Sequence, residues 1–146
     1  MAATIAHVNG VSLHYHLQGA EDAPLVVFSN SLGTDFRIWD DVIAKLDGYR
    51  TLAYDTRGHG LSDCPSEPWS MKDNVDDLAG LMDHLGLGSA AVCGLSVGGL
   101  ITQGLAAERP DLVRLMILCD TAAKIGNIDM WQKRIVAIKA GYRCDF

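Results

Sequence analysis

Short apolar runs alternate with segments of helical periodicity along most of this 146-residue chain. The apolar runs that indicate buried strands are residues 25–29, 50–55, 89–93 and 115–119. Apolar residues recur at three- and four-residue spacing in the intervening and following segments, residues 36–46, 71–85, 100–108 and 128–140. Because helical crossovers join parallel strands, this order predicts an α/β fold, in which a mostly parallel sheet carries helices on both faces.

An antiparallel hairpin is expected to precede the parallel strands. Residues 4–8 and 11–17 are short alternating runs, and the Asn9-Gly10 dipeptide between them tolerates the positive φ angles of a tight type I′ turn. Further along the chain, Ser70 and Asp73 have the spacing of a capping box, which predicts the start of a helix.

The composition indicates one ordinary globular domain. Hydrophobic residues make up 49% of the chain and charged residues 21%, which argues against disorder. The formal net charge of −6 disfavours nucleic acids and anionic membranes as partners. No apolar run reaches the roughly 18 residues of a membrane span, and residues 1–7 lack the pattern of a secretory signal. The four cysteines (residues 64, 93, 119 and 144) form no C-x-x-C pair, so we expect a reduced, cytoplasmic protein without a structural zinc.

The segment Gly94-Leu95-Ser96-Val97-Gly98 follows an apolar strand of small residues and precedes a helical pattern. In that context, G-x-S-x-G is typical of a nucleophile elbow, a strained turn that holds the serine Oγ at the carboxyl edge of a sheet. The flanking glycines suit a turn too tight for side chains, and the helix N-terminus offers free N–H groups to an oxyanion. Ser96 is therefore the candidate nucleophile; the alternative is a tight turn with an incidental serine.

An acyl-transfer serine needs two donors for its oxyanion. The elbow supplies one, the backbone N–H of Val97. We expect the second to be the backbone N–H of Leu32, in the loop 30–34, with Gly33 allowing that loop to fold close to Ser96. The alternative for this loop is an ordinary strand-to-helix turn.

Residues 55–60, Asp-Thr-Arg-Gly-His-Gly, bring three chemically active side chains to the end of a strand. Two glycines and an aspartate there suit a turn whose Asp55 and Arg57 hold the loop by local hydrogen bonds. We predict that structural role and treat catalysis by His59 as the weaker alternative.

Three segments together resemble the α/β-hydrolase superfamily: GLSVGG (94–99), SNSLGTDFRIW (29–39) and YDTRGHGLSD (54–63). The residues of these segments are most similar to those of the 3-oxoadipate enol-lactonases of bacterial aromatic catabolism. NSLGT stands where many relatives carry a His-Gly pair, and CDTAAKIG (119–126) follows the strand 115–119. The resemblance runs from about residue 5 to about residue 140.

This resemblance implies hydrolysis of a small cyclic enol-lactone to 3-oxoadipate through an acyl-serine, without a metal or an organic cofactor. It matches Ser96 to the nucleophile, and Leu32 and Val97 to the oxyanion residues. Trp131 falls at the start of the cap expected over the pocket, where it would line the substrate site; an ordinary core tryptophan is the alternative.

The chain departs from the superfamily in the other two members of the Ser-acid-His catalytic triad. The superfamily order is Ser, then Asp or Glu, then His, whereas the last histidine of this chain, His84, precedes Ser96. His84 is expected on a helix surface, and the hairpin histidines (His7, His14 and His16) are equally poor bases. Asp120, at the end of the strand 115–119, is the candidate acid, although most relatives take theirs from a later strand.

We therefore expect an N-terminal part of a longer hydrolase, with core residues 1–123 and the start of a cap in 124–146. The ending 141–146 departs from the family's usual continuation. Without a base, Ser96 would remain a weak nucleophile. The strand 115–119 would be an exposed apolar edge through which the chain could self-associate.

Two other functions stay open. The first is another serine α/β-hydrolase: a carboxylesterase, a perhydrolase or a C–C hydrolase. The second is a catalytically dead, truncated remnant. Epoxide hydrolases and haloalkane dehalogenases are disfavoured because their elbow would carry Asp at position 96. A dinucleotide binder is disfavoured because no G-x-G-x-x-G follows the first parallel strand.

Overall fold

The computed structural model describes residues 3–141. Within them the strands are β1 (Thr4–Val8), β2 (Val11–Gln18), β3 (Leu25–Ser29), β4 (Arg50–Tyr54), β5 (Ala90–Leu95) and β6 (Val113–Cys119). The helices are α1 (Asp40–Ile43), α2 (Met71–His84), α3 (Val97–Glu108) and α4 (Ile128–Lys139), and a 3₁₀ helix, Phe36–Trp39, directly precedes α1. Cys144 and all but the first residue of the divergent ending 141–146 lie outside the described residues.

The strands form one sheet in the order β1-β2-β4-β3-β5-β6. Strands β4, β3, β5 and β6 run parallel to one another. The β1–β2 hairpin joins the sheet through the antiparallel β2–β4 pairing. The predicted α/β architecture, a mostly parallel sheet with an N-terminal antiparallel hairpin, is confirmed.

The hairpin turn has the predicted geometry. Val8 pairs with Val11, and Asn9 and Gly10 both have positive φ angles, +47° and +74°. The Asn9 side chain also donates to Asp77 Oδ1 in α2 at 2.9 Å, which ties the hairpin to the helix packed beneath it.

Helices cover both faces of the sheet, as β3 shows most clearly. All five residues of β3 are buried. Leu25 and Val27 belong to the core layer that contains α2 and α3, whereas Val26 and Phe28 belong to the layer that contains Trp39. The alternation follows from the two-residue period of a strand, and it makes β3 the centre of the fold.

Two helix boundaries differ from the prediction. The single helix predicted over residues 36–46 is a 3₁₀ helix followed by one α-helical turn, because the chain must turn at Gly48 (φ +78°) and enter β4 at Arg50. The helix predicted to begin at Leu100 begins at Val97, because a single residue, Ser96, makes the whole turn from β5.

Among residues 3–141, strand β6 is the edge of the sheet and pairs only with β5. Residues 115–118 on it are apolar and between 40% and 55% exposed, so the predicted exposed apolar edge is confirmed. Because a strand with both faces apolar is normally buried, this edge is an unusual surface.

The apolar spacing of α4 does not mark its covered side. Trp131, Ile135 and Ile138 recur at helical spacing, but Ile135 and Ile138 are 50% and 57% exposed. The less exposed residues besides Trp131 are Arg134 and Ala137. The apolar residues of α4 spread around the helix, so spacing alone did not identify its covered side. None of the helices between residues 3 and 141 is long and apolar enough to cross a membrane.

Candidate active site

Ser96 occupies a one-residue turn between β5 and α3, with φ +53° and ψ −113°. A non-glycine residue in this region is strained and persists only when its surroundings fix it. Two glycines provide that fixation. A Cβ at Gly94 would overlap the carbonyl oxygen of Gly98, and a Cβ at Gly98 would overlap the carbonyl oxygen of Ser29. The predicted strand–turn–helix geometry is therefore present, with Ser96 half-buried at the carboxyl end of β5.

The segment after β6 supports the same turn from the other side. The Ser96 N–H donates to the carbonyl oxygen of Cys119 at 2.9 Å, and the Thr121 hydroxyl donates to the Ser96 carbonyl oxygen at 2.7 Å. A Cβ at Gly99 would contact Thr121 at 2.5 Å, which explains the third glycine of the motif. Backbone contacts from both neighbouring strands thus hold the Ser96 turn.

The structure brings the loop 30–34 to the Ser96 turn. Strands β3 and β5 are adjacent and parallel, with Ser29 paired to Gly94. The loop therefore begins beside the turn, with the Asn30 carbonyl oxygen against Gly98. Among the described residues, the Leu32 N–H has no hydrogen-bond acceptor, so it is available to a bound group. The Val97 N–H lies in the first turn of α3, where backbone N–H groups have no helical partner.

A cavity of about 430 Å³ adjoins Ser96. Its lining residues are Ser96, Asp120, Thr121, Ala122, Lys124, Ile125 and Gly126. Asp120 has φ +42° and its side chain is exposed. Trp131 is half-buried and does not line this cavity; its indole N–H donates to the Ile125 carbonyl oxygen at 2.9 Å, and the Arg134 guanidinium lies 5.6 Å from its ring centroid. Trp131 is therefore neither a core tryptophan nor a direct wall of the Ser96 cavity.

None of the five histidines hydrogen-bonds to Ser96 or Asp120 within residues 3–141. His14 pairs with Asp55 at 2.8 Å on β2, three strands from β5 and therefore roughly 14 Å away. His84 is exposed on α2, as predicted. The described part of the chain thus places Ser96 and Asp120 on one cavity and begins the loop 30–34 beside the Ser96 turn, but none of its histidines supplies a general base there.

The cluster centred on Asp55 is larger than the sequence predicted. The buried Asp55 carboxylate accepts the backbone N–H groups of Phe36 at 2.8 Å and Leu61 at 3.0 Å. It therefore holds two loops as well as His14, which confirms its structural role.

The hydrogen-bond partner of Arg57 lies further along the chain than the sequence predicted. Its guanidinium donates twice to Asp77 of α2, at 2.6 Å each, and both side chains are buried. The hydrogen bond to Asp77 raises the pKa of Arg57 above its ordinary value. The sequence signal for this contact was an aspartate on the apolar side of α2, beside Leu78 and Leu81, because a charge there requires a buried partner.

Cys93 does not provide an alternative nucleophile at this site. Burial raises the pKa of the Cys93 thiol to about 12, and Cys119 Sγ lies 4.0 Å from Cys93 Sγ. A buried thiol of that pKa carries almost no thiolate at neutral pH. Across residues 3–141, no three His, Cys, Asp or Glu side chains are close enough to share a metal ion.

Sequence comparison agrees with this geometry. The sequence pattern of the alpha/beta hydrolase fold family matches residues 24–142, which is most of the chain. The chain belongs to the α/β-hydrolase family. It is 42% identical over 130 residues to 3-oxoadipate enol-lactonase 2 of Acinetobacter baylyi, covering 88% of this chain and 49% of that protein. It is 37% identical over 142 residues to 3-oxoadipate enol-lactonase 1 of the same organism, covering 97% of this chain and 53% of that protein.

A solved structure gives the same result. The enol-lactonase from Burkholderia xenovorans LB400 superimposes with a TM-score of 0.87 at 44% identity, covering 93% of this chain and 54% of that one. This α/β hydrolase therefore spans about half the length of the relatives it matches.

Proposed function

We propose that Ser96 is the nucleophile of a lactone hydrolase of the 3-oxoadipate enol-lactonase type. The observation that supports it most is the Ser96 backbone, held at positive φ between β5 and α3 by three glycines. Structural turns rarely carry such strain, whereas nucleophile elbows use it to present Oγ. The similarity to enol-lactonases along most of the chain favours a lactone over other acyl substrates.

In the proposed reaction, Ser96 Oγ attacks the lactone carbonyl carbon. Negative charge develops on the carbonyl oxygen, where the N–H groups of Leu32 and Val97 stabilise it. The ring C–O bond then breaks, the enol oxygen takes up the proton that Oγ has lost, and that proton moves to carbon as the enol becomes a ketone. The acid remains bound as an ester of Ser96. Water cleaves that ester: its hydroxyl group completes the carboxyl group of 3-oxoadipate, and its other proton goes to Ser96 Oγ.

Attack by Ser96 requires a base that removes the Oγ proton. Since no histidine contacts Ser96 within residues 3–141, we propose that the 146-residue chain acylates slowly for lack of this base. Imidazole added to the solution would then take the place of the missing side chain. It would accelerate acylation at Ser96 without changing the serine itself.

The test is intact-protein mass spectrometry after incubation with 3-oxoadipate enol-lactone, with and without imidazole. We expect an adduct of the substrate's mass on Ser96, formed faster with imidazole, retained in Ser89→Ala and lost in Ser96→Ala. Ser89 is an exposed serine just before β5 and serves as the matched control.

Two results would contradict the proposal. An adduct that persists in Ser96→Ala would exclude Ser96 as the nucleophile. A folded chain that forms no adduct in the presence of imidazole would favour the catalytically dead remnant. Parallel incubation with p-nitrophenyl acetate separates the remaining alternative, because a carboxylesterase would be acylated by that ester and not by the lactone.

A further inference from the structure

His59 contacts the loop that carries the candidate oxyanion donor Leu32. The backbone N–H of Gly33, the residue next to Leu32, donates to His59 Nε2 at 2.9 Å. The other ring nitrogen, Nδ1, lies 3.0 Å from the Thr56 hydroxyl oxygen and 3.1 Å from the Arg57 carbonyl oxygen. Because a carbonyl oxygen can only accept, Nδ1 carries the ring proton, and Nε2 of the neutral ring is left as the acceptor for Gly33.

The tip of this loop has few other restraints. Leu32 is 42% exposed and Gly33 is exposed with φ +78°. Thr34 bonds back to the Ser31 carbonyl oxygen through its N–H and its hydroxyl, which closes a turn around Leu32 and Gly33, and the Asn30 side chain donates to the Thr34 carbonyl oxygen at 3.3 Å. The bond from Gly33 to His59 is the contact that joins the tip of this turn to the rest of the protein.

His59 is itself held firmly enough to act as an anchor. Its backbone N–H donates to the Thr56 carbonyl oxygen, and its carbonyl oxygen accepts the Ser62 N–H, both at 3.0 Å. The surrounding loop is fixed by the buried Asp55 carboxylate and by the Arg57–Asp77 pair. The imidazole therefore joins a rigid loop after β4 to a sparsely packed loop after β3.

We propose that His59 is a positioning residue for the oxyanion site: its neutral Nε2 accepts the Gly33 N–H and thereby orients the Leu32 N–H toward Ser96. This inference rests on the proposed function, because Leu32 matters only if Ser96 reacts. His59 does not touch the reacting atoms and is not a catalytic residue. Its role is to keep the Leu32 donor in place before substrate arrives, which is the condition for strong oxyanion stabilisation.

The experiment uses the full chain with three variants. His59→Leu removes the acceptor at similar volume, His59→Gln restores an acceptor near the Nε2 position, and His84→Leu is a matched control on the exposed surface of α2. One readout is NMR: the ring nitrogen resonances of His59, and the amide hydrogen exchange of Leu32 and Gly33. The second is the rate at which a fluorophosphonate labels Ser96 in the presence of imidazole, which replaces the missing base.

We expect a neutral His59 with its proton on Nδ1. Gly33 amide exchange should accelerate about tenfold in His59→Leu, which corresponds to the loss of one hydrogen bond, and return close to the wild-type value in His59→Gln. Ser96 labelling should fall about tenfold in His59→Leu and recover in His59→Gln, while His84→Leu matches the wild type in both readouts. Circular dichroism melting curves establish that each variant is folded.

Three results would overturn the inference: a ring proton on Nε2, Gly33 exchange that is equal in the wild type and His59→Leu, or slow labelling that His59→Gln fails to restore. Failure of the proposed function gives a different pattern. In that case wild-type Ser96 is not labelled, although Gly33 exchange still responds to His59→Leu. The hydrogen bond from Gly33 to His59 would then be a structural contact, and its role in positioning an oxyanion donor would be rejected.

Discussion

Gly98 is the residue whose replacement tests most sharply how the Ser96 turn is built. A methyl group at position 98 would overlap the Ser29 carbonyl oxygen at the end of the buried strand β3, and neither backbone segment can move easily. We expect Gly98→Ala to lower the free energy of unfolding by about 2 kcal/mol, as overpacking in a core does. Urea denaturation followed by circular dichroism measures it.

Gly88 is the matched control for this prediction. It lies in the turn before β5, and a Cβ there would meet no atom within 4 Å. Gly88→Ala should change the free energy of unfolding by less than about 1 kcal/mol. Equal effects of the two substitutions would show that the close approach of α3 to Ser29 does not hold the turn.

Individual residues differ in how far the sequence could identify them. The Ser96 turn was predictable because glycines on both sides of a serine, between a strand and a helix, are a local pattern. The contact of His59 with Gly33 was not, because it joins loops 26 positions apart and depends on the order of β4 and β3 in the sheet. Arg57 was assigned a local partner for the same reason, although Asp77 lies on α2.

The start of helix α2 gives a prediction about pH. Asp73 accepts the Ser70 N–H at 2.8 Å and the Ser70 hydroxyl at 2.7 Å, and these hydrogen bonds hold the pKa of Asp73 below its usual value of 3.8. A carboxyl whose pKa is lowered by folding stabilises the protein above its unfolded pKa, and this stabilisation is lost as the pH falls through the lower, folded pKa. Asp73→Asn should therefore reduce stability at pH 7 and have progressively less effect below about pH 3.8.

Asp76→Asn is the control, since it makes the same change on the exposed side of α2, outside the capping box. Urea midpoints at pH 7 and pH 2.5 compare the two variants. A loss in Asp73→Asn that is the same at both pH values would contradict the role assigned to its charge.

The buried ion pair between Arg57 and Asp77 joins the loop after β4 to α2. Both side chains are at least 94% buried, so removing one partner leaves an uncompensated charge in the interior. We expect Arg57→Met to cost about 3–5 kcal/mol of unfolding free energy. Lys72→Met removes an exposed partner of Asp76 on the same helix and should cause no measurable loss. A small effect of Arg57→Met in urea denaturation would show that water reaches the pair.

Elements with strong local signals were predicted almost residue by residue, and the others were not. The hairpin and β3 have the predicted positions because the Asn-Gly turn and a continuous apolar run each admit one conformation. The segment between β3 and β4 was predicted as a single helix because its apolar spacing is helical. Spacing did not reveal that Gly48 and the return to β4 leave room for only short helical turns.

At the scale of the whole molecule, strand β6 is an exposed edge of the sheet, and we propose that it pairs with β6 of a second copy of the chain. Antiparallel pairing of two β6 strands about Ile117 would set the apolar residues 115–118 of the two copies side by side. The same register would bring Arg114 of each chain near Asp120 of the other, just past the end of β6, so the charges at the two ends are complementary.

Ile117→Lys should weaken this association, because it places a charge at the centre of the paired strands. Ile5→Lys is the control, since Ile5 is 47% exposed on β1 at the opposite edge of the sheet. Sedimentation velocity at several concentrations gives the result. A chain that is monomeric throughout, or an equal effect of both substitutions, would contradict pairing through β6.

The α/β class and the helices on both faces followed from the order of apolar runs, which is a property of the whole sequence. The arrangement of the candidate site could be predicted from the sequence only in part. The sheet order that places Ser96, Asp120 and the start of the loop 30–34 at one edge of the sheet agrees with the superfamily resemblance, but no residue pattern in this chain indicated where a base would come from. The chain's match to about half of each relative is consistent with that gap.

We propose that its backbone makes Ser96 a nucleophile, and labelling with a fluorophosphonate in the presence of imidazole, which replaces the missing base, measures this reactivity. In this reaction Ser96 Oγ displaces fluoride from phosphorus, so no particular substrate is needed. Peptide mass spectrometry compares the labelling rate of Ser96 with that of the exposed Ser89 in the same molecule. We predict that Ser96 is labelled faster and that Ser96→Ala removes the label. Labelling of Ser96 no faster than Ser89, in a folded chain, would show that the turn does not activate Ser96.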